Sequence, residues 1–341
     1  MMEFEPISIA SSEGPFVIRP YQEGDEKAIL DLFREVFGQE RTQTQWKWKF
    51  RDNPFGTQII LCFAPNGDLT AQYAGIPVKA VLKRQEVQVT QLVDSMSKPA
   101  YRGVLGGRKG IFTRTVQAFF DAFGHPGASV FLYGFPGIRH FRLGEILLQY
   151  GHMKFDNFFL SKKCSSRRWR GHPNFHGTVT LCSFPLNPRI DELWRARCND
   201  FSFFVCRTTL FLNWRFSHPE RVYSVWTLTS LFGDKTKGYA IICFLPEEGK
   251  ARLIDMVIPQ GRSGHTLLAG VEDALSGLGC ETLETWAAPN HPAYSLLLDY
   301  GFRLAPETLG VIPTGRSFWD RLDFEWAASH FSYTMAECDL F

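Results

Sequence analysis

Apolar positions along the chain recur in two rhythms, every second residue and every three to four, which are the signatures of strands and of helices packed on one face. Residues 16–19 predict a short strand. Residues 25–37 predict an amphipathic helix with Ile29, Leu30, Phe33, Val36 and Phe37 on its apolar face. Residues 57–64 and 69–80 predict a hairpin closed by Pro65-Asn66-Gly67-Asp68, since Asn and Gly accept the positive φ of a tight turn. A strand over 86–96, a helix over 110–123, a buried strand over 128–134 and a helix over 137–149 ending at Gly151 follow. The same rhythm then returns: strands over 222–231, 237–245 and 251–258, a helix over 264–278, a strand over 281–287 and a helix over 291–299. Trp46, Trp48 and Phe50 alternate with Lys47 and Lys49. That period of two puts the rings on one face and points to core packing rather than a platform for bases.

The return is also one of residues. Trp48-Lys49-Phe50 with Pro54 reappears as Trp214-Arg215-Phe216 with Pro219, and Asp68-x-Thr70-x-x-Tyr73-Ala74 as Asp234-x-Thr236-x-x-Tyr239-Ala240, both 166 positions later. Asp94 and Asp255 stand 161 apart, and Leu147-x-x-Tyr150-Gly151 meets Leu297-x-x-Tyr300-Gly301 at 150. Ordered clusters with a smoothly falling offset imply an internal duplication. The expected organisation is a first domain over 1–160, a connecting segment over 161–188 rich in Arg, Ser, Pro and Gly, and a second copy over 189–341.

Composition adds little that would redirect this reading. The 341 residues are 45% hydrophobic and 21% charged with a formal net charge of +2, so the chain is globular and has no global pull toward nucleic acid or membrane. The N-terminal stretch lacks a secretory pattern, and no run approaches the roughly 18 apolar residues of a membrane span. Eight scattered cysteines without a C-x-x-C pair read as reduced thiols rather than a disulfide or zinc framework. A cytoplasmic, metal-free protein is the expectation. The basic residues Lys162, Lys163, Arg167, Arg168 and Arg170 read as a solvated linker; nucleic acid is not the expected partner.

Candidate chemistry concentrates in one segment, Val93-Asp94-Ser95-Met96-Ser97-Lys98-Pro99-Ala100-Tyr101-Arg102-Gly103-Val104-Leu105-Gly106-Gly107-Arg108-Lys109-Gly110-Ile111-Phe112. A strand enters a loop with four glycines and several basic residues, and a helix begins directly after it. Glycines let backbone N–H groups approach a ligand, and a helix start adds unsatisfied N–H groups and a positive dipole end. The natural guest is a pyrophosphate. Neither the G-x-x-x-x-G-K-[ST] loop nor G-x-G-x-x-G is present, which excludes a nucleoside-triphosphate P-loop and a Rossmann site.

This strand, Pro99-x-Tyr101-Arg102-Gly103, glycine loop and helix resembles the acetyl-CoA signature of the GNAT N-acetyltransferase superfamily. Gly134-Phe135-Pro136-Gly137, Leu147-x-x-Tyr150-Gly151 and Asn290-x-x-Ala293-x-x-Leu296-Leu297-x-x-x-Gly301-Phe302 resemble another conserved block of that family. The resemblance implies an α/β (α+β) fold of two GNAT-like domains, each a mixed, mostly antiparallel sheet flanked by helices. It also implies an acetyl-CoA or other acyl-CoA co-substrate and transfer to an amine of a small molecule, amino sugar or amino acid. The implied cofactor-binding residues are Met96 and Ser97 along the pantetheine arm, then Arg102, Gly103, Leu105, Gly106, Gly107, Arg108, Lys109, Gly110, Ile111 and Phe112 at the pyrophosphate. Departures exist: the first loop is long, the second copy's Pro259-Gln260-Gly261-Arg262-Ser263-Gly264 has lost most glycines, and Leu147 and Leu297 stand where many members carry a general-acid tyrosine. Asp94 and Glu40 are then the candidate bases, and Tyr133 and His140 the candidate acids. Cys62 on an apolar strand is a weaker candidate nucleophile. Two alternatives remain open: a Fem-type aminoacyl-tRNA-dependent transferase, against which the glycine loop speaks, and a binding protein with a decayed site. Oligomeric state is open.

Overall fold

In the computed structural model the described residues are 4–12, 14–102, 109–154, 158–164, 176–231 and 235–341. The loop residues Gly103, Leu105, Gly106, Gly107 and Arg108, the turn residue Asp234 and the arginines 167, 168 and 170 lie outside them. The chain forms two compact units. The first comprises Met1–Lys79, Val87–Met153 and Val311–Ala328; the second comprises Ala80–Glu86, Lys154–Gly310 and Ser329–Phe341.

The first unit is built on one sheet. Its strands are β1 (Ile7–Ile9), β2 (Phe16–Pro20), β3 (Gln58–Phe63), β4 (Leu69–Leu82), β5 (Gln85–Ser97), β6 (Phe131–Gly134) and β7 (Gly151–His152), in the order β1-β2-β3-β4-β5-β6, a late strand Thr314–Ser317, then β7. The pairs β1–β2, β2–β3 and β3–β4 and the two pairs made by the late strand are antiparallel, whereas β5 and β6 run parallel. The hairpin of β3 and β4 turns at Gly67, whose φ of 87° is the left-handed value the Asn-Gly pair foretold. Helix α1 (Glu26–Phe37) buries Ile29, Leu32 and Phe33 and stops at Gly38 in the left-handed conformation, a Gly-terminated helix end. Helix α3 (Ile111–Phe123) lays Val116, Phe119 and Phe120 against Ile60, Tyr73 and Leu132 of the sheet.

The period-two reading of residues 46–50 is corrected. This stretch is helical: α2 (Gln43–Trp46) runs directly into a wider turn over Lys47–Arg51. A capping box starts it, with the Thr42 hydroxyl accepting from Gln45 N and the Gln45 amide oxygen accepting from Thr42 N, each at 3.1 Å. That pair satisfies two of the N–H groups a helix start leaves bare and so favours helix over strand. The rings are core, as expected: Trp46, Trp48 and Phe50 are all buried.

The second unit holds another sheet. Its strands are β8 (Phe159–Lys163), β9 (Thr178–Cys182), β11 (Ser224–Thr229), β12 (Thr236–Leu245), β13 (Lys250–Val257), β14 (Thr282–Trp286) and β15 (Arg303–Leu304), in the order β15-β8-β14-β13-β12-β11-β9. Strand β10 (Phe203–Val205) pairs with residues 80–82, the tip of the β4–β5 hairpin that belongs to this unit. The parallel pair here is β13 with β14. Helix α7 (Arg262–Gly277) packs Leu267, Leu268, Val271 and Leu275 into the core.

Both ends of β11 lie 166 residues after those of β3. The boundaries drawn from the sequence differ from the units in several places, two of which change a sheet. Residues 159–163, divided by the sequence reading between the first domain and the connecting segment, form β8, which sits between β14 and β15 of the second sheet. Thr314–Ser317, which we label β16, sits between β6 and β7 of the first sheet instead of in the second. The first sheet takes β16 from beyond the whole Lys154–Gly310 segment, whereas β8 lies near the start of that segment. Local periodicity carries no information on which strand a segment will pair with. Among the described residues no helix is long and apolar enough to cross a membrane, and all eight cysteines are free thiols.

Candidate functional site

Strands β5 and β6 pair only over Val89–Gln91 and Phe131–Tyr133 in register. Beyond that point β6 ends at Gly134 while β5 runs on to Ser97. Two parallel strands that part in this way leave backbone groups of one strand available to a ligand. A cleft of about 510 Å³ lies in the first unit at this place. Its walls are Ser95 and Ser97 of β5, Tyr101 and Arg102 after it, residues 110–113 at the start of α3, Val36 and Phe37 at the end of α1, and Arg139, His140, Leu143 and Leu147 of α4 (Ile138–Leu148).

The wall combines two chemistries. No side chain caps α3, whose N-cap is Gly110, so the positive end of its dipole faces the cleft. Arg102 stands beside it and is oriented by donating from Nε to the Ser97 carbonyl at 3.1 Å. Arg139 adds a second guanidinium. Val36, Phe37, Leu143 and Leu147 make the rest apolar. On α4, Arg139 and Leu147 are eight residues apart, roughly 12 Å along a helix axis. An occupant that is anionic at one end and apolar at the other matches this surface.

The sequence-derived site residues separate into groups. Ser97, Arg102, Gly110, Ile111, Phe112 and His140 line the cleft together. Met96, between Ser95 and Ser97, is fully buried and outside the lining. Lys109 is exposed and outside the lining. Tyr133 is buried in the sheet, packed edge-on against Phe135 at 6.2 Å, and is not in the cleft wall. Glu40 is exposed and 3.7 Å from Arg34. Cys62 is wholly buried, and burial pushes its thiol pKa up, which removes it from nucleophilic chemistry.

Asp94 occupies an ion cluster rather than open space. Arg41 donates to it from both terminal nitrogens and Lys49 Nζ lies 3.0 Å from Oδ1. Burial alone would raise the pKa of this carboxyl, but the charges of Lys49 and Arg41 outweigh it and hold the value at about 2. A carboxylate so paired is a poor proton acceptor at neutral pH. His140 behaves differently: partial desolvation, then the nearby Arg102 charge, lower its pKa, which leaves the imidazole neutral and able to accept a proton near pH 7.

Sequence reasoning missed Arg41 and its counterpart. In the second unit Arg207 makes the same kind of pair with Asp255, Nη2 to Oδ1 at 2.8 Å, with both side chains fully buried. Arg207 follows Arg41 by 166 residues, and the Thr42 cap is matched by Thr208, which accepts from Phe211 N at 3.3 Å. The repeated Arg-Thr dipeptide was the available signal.

The second unit presents different surroundings at its own strand separation, where β13 and β14 pair over residues 250–253 and 282–285. There Asp255 accepts from the Tyr239 hydroxyl at 2.7 Å and from Thr334 at 3.0 Å, and Trp286 packs against Tyr333 and Phe341. Residues 332–338 are buried. At the start of α7, a Cβ on Gly264 would lie 2.2 Å from the Pro259 carbonyl oxygen and 2.6 Å from Leu296. The first turn of this helix is tight at Gly264, whereas Gly261 and Arg262 before it are exposed.

A sheet whose two central parallel strands part beside an uncapped helix start defines an acyltransferase-type fold. Residues 17–140 match the family model of an acetyltransferase (GNAT) domain, a span holding every cleft residue except Leu143 and Leu147. That span of the first unit is thus similar to a GNAT acetyltransferase domain. It is similar in fold to a probable N-acyltransferase from Enterococcus faecalis V583, with 17% identity, a TM-score of 0.66, and 89% of this chain and 73% of that one covered. A GCN5-related N-acetyltransferase from Anabaena variabilis matches at 12% identity, TM-score 0.65 and the same coverages of 89% and 73%. N-myristoyltransferase of Saccharomyces cerevisiae with bound myristoyl-CoA matches at 12% identity and TM-score 0.57, over 92% of this chain and 84% of that one. No curated protein matches the sequence.

Proposed function

We propose that the chain is an acyl-CoA-dependent N-acyltransferase that binds acetyl-CoA or a longer acyl-CoA in the cleft of the first unit and passes the acyl group to a small-molecule amine. The observation that carries this reading is the cleft itself: an uncapped helix start with Arg102 and Arg139 at one end, Ser95 and Ser97 of the parted strand alongside, and an apolar wall beyond. The cationic end suits a pyrophosphate, and the β5 backbone suits the amide-rich pantetheine arm. Leu143, Leu147, Val36 and Phe37 suit its methylenes and the acyl group. The myristoyl-CoA bound by the yeast neighbour fits the same allocation. His140 is the candidate proton carrier on the wall, since Asp94 is committed to Arg41 and Lys49 and Tyr133 is buried. In the same proposal the two units are diverged copies, the second has no open site for a CoA, and the protein works in the cytoplasm, where free thiols persist.

Calorimetry with acetyl-CoA tests the reading. The expected result is one bound molecule per chain, with affinity lowered at least about tenfold by Arg102→Glu, because a charge-assisted contact becomes a repulsion. A panel of amines, amino sugars and amino acids assayed for release of free CoA then identifies the acceptor. Absence of binding would sink the proposal, and two equivalent sites per chain would overturn the account of the second unit.

A further inference from the structure

Two thiols of the second unit meet away from the cleft. Cys164, directly after β8, and Cys280, two residues before β14, place their sulfurs 3.7 Å apart although 116 residues separate them. The sheet sets this approach. Lys163 pairs with Thr282, and the next step of the ladder is the bond from Cys164 N to the Glu281 carbonyl at 2.8 Å. Cys280 is fixed from its own side, where its N–H donates to the Leu275 carbonyl of α7 at 3.0 Å. A surface pocket of about 470 Å³ is lined by both cysteines together with Ser276, Gly279 and Glu281. Both sulfurs thus lie beside space that a small reagent can enter.

Other uses of such a pair fit poorly. A structural zinc needs about four ligands, and among the described residues no three His, Cys, Asp or Glu side chains are grouped to hold a metal. A nucleophilic thiol needs a positive charge to favour its thiolate. Lys162, the cation that acts on Cys164, gives its ammonium to Glu272, whose second oxygen accepts from the Tyr300 hydroxyl at 2.5 Å. Burial, then the Cys280 sulfur and Glu272, push the Cys164 thiol up to about 12, and burial raises Cys280 as well. What remains for the two sulfurs is each other.

We infer that Cys164 and Cys280 are a reversible disulfide-forming pair, oxidised by low-molecular-weight disulfides, whose bond staples the exit of β8 to the end of α7. One cysteine, its proton lost to water, attacks the incoming disulfide; a mixed disulfide forms and one small thiol leaves. The other cysteine then attacks the protein-side sulfur, the bond between the two cysteines forms, and the second small thiol leaves. Two protein thiols give up two electrons and two protons, and the small disulfide takes up both. Thiols of high pKa leave slowly as well as form thiolates rarely, so the bond is slow to form and slow to break. The segment it closes runs from β9 through α7, and a long closed loop is where a cross-link restricts the unfolded chain most. This chemistry is independent of acyl-CoA binding in the first unit.

The full chain, first reduced and then incubated with excess glutathione disulfide at mildly alkaline pH, is digested without reductant and mapped by mass spectrometry. The expected product is a peptide pair joined through Cys164 and Cys280 that dithiothreitol separates. In hydrogen exchange, peptides over 159–164 and 275–283 should exchange at least about threefold more slowly in the oxidised chain than in the reduced one. Cys164→Ser, at a half-buried position, should abolish the joined pair and the slowing; Cys280→Ser is read in the same way should that variant not fold. The wild-type map decides alone if neither folds. Glutathione retained on either cysteine without the joined pair, both thiols left unmodified, or a bond to another of the eight cysteines overturns the inference. A joined pair with unchanged exchange overturns the stapling of β8 to α7.

Discussion

His140 and Asp94 show how far residue identity alone can assign a role. Both are titratable groups near the parted strands, and the sequence offers them as equals. Their neighbours divide them, and those neighbours are remote in sequence: Arg41 is 53 residues from Asp94. Because the carboxyl is held at about 2, below its unfolded value near 3.9, it favours the folded state above pH 4 and loses that contribution as pH falls from about 4 through 2. The pH dependence of acyl transfer between 5 and 9 is accordingly expected to follow His140 rather than Asp94. The pKa of His140 is lowered partly by Arg102, so an anion that neutralises Arg102 should raise it. Titration by NMR should give His140 a lower pKa in the free protein than in the CoA-saturated one. An unchanged value would place the anionic end of the ligand away from Arg102 and His140.

At the scale of elements, the periodic reading recovered the strands and helices that bury one continuous face, such as α1, α3 and the β3–β4 hairpin. It failed at 46–50, where helix and strand both bury the aromatic rings and a capping interaction between Thr42 and Gln45 makes the choice. Helix α4 shows a second limit. It buries only Gly144 and Leu148 in full, while Ile138, Leu143 and Ile146 are exposed, so its pattern says little about what fixes it. The contact at Gly144 does: a Cβ there would sit 2.1 Å from the ring of Tyr150, itself tied back by its N–H to the Gly144 carbonyl at 3.2 Å. Gly144→Ala should therefore displace the ring and destabilise the protein by about 1–3 kcal/mol, the usual cost of overpacking. It should also weaken acetyl-CoA binding, because Leu143 and Leu147 flank the site. Chemical denaturation alongside calorimetry measures both; a neutral substitution would show that the α4 wall is free to adjust.

Across the whole molecule, the recurring residue clusters point to two halves but not to what each half contains. Repeat offsets follow residues along the chain, whereas sheet membership follows hydrogen bonds, and the two disagree at β8 and β16. The first sheet is completed by Thr314–Ser317, which lies between β6 and β7 and exchanges backbone hydrogen bonds with both. A fragment of residues 1–160 would lack that strand and leave two edges bare, a state prone to aggregation. It should be insoluble or melt without a cooperative transition, while the same fragment joined to 309–330 through a flexible linker should regain a sharp one, as circular dichroism can report. A soluble, cooperatively folded 1–160 would show the late strand to be dispensable. The placement of that strand also changes how inherited variation in this protein is to be mapped. A substitution at Gly315, whose missing side chain leaves room for the ring of Phe131 at 2.3 Å from where a Cβ would stand, is a lesion of the N-terminal fold although it lies near the end of the chain. Ranking variants by distance along the gene would assign it to the wrong half.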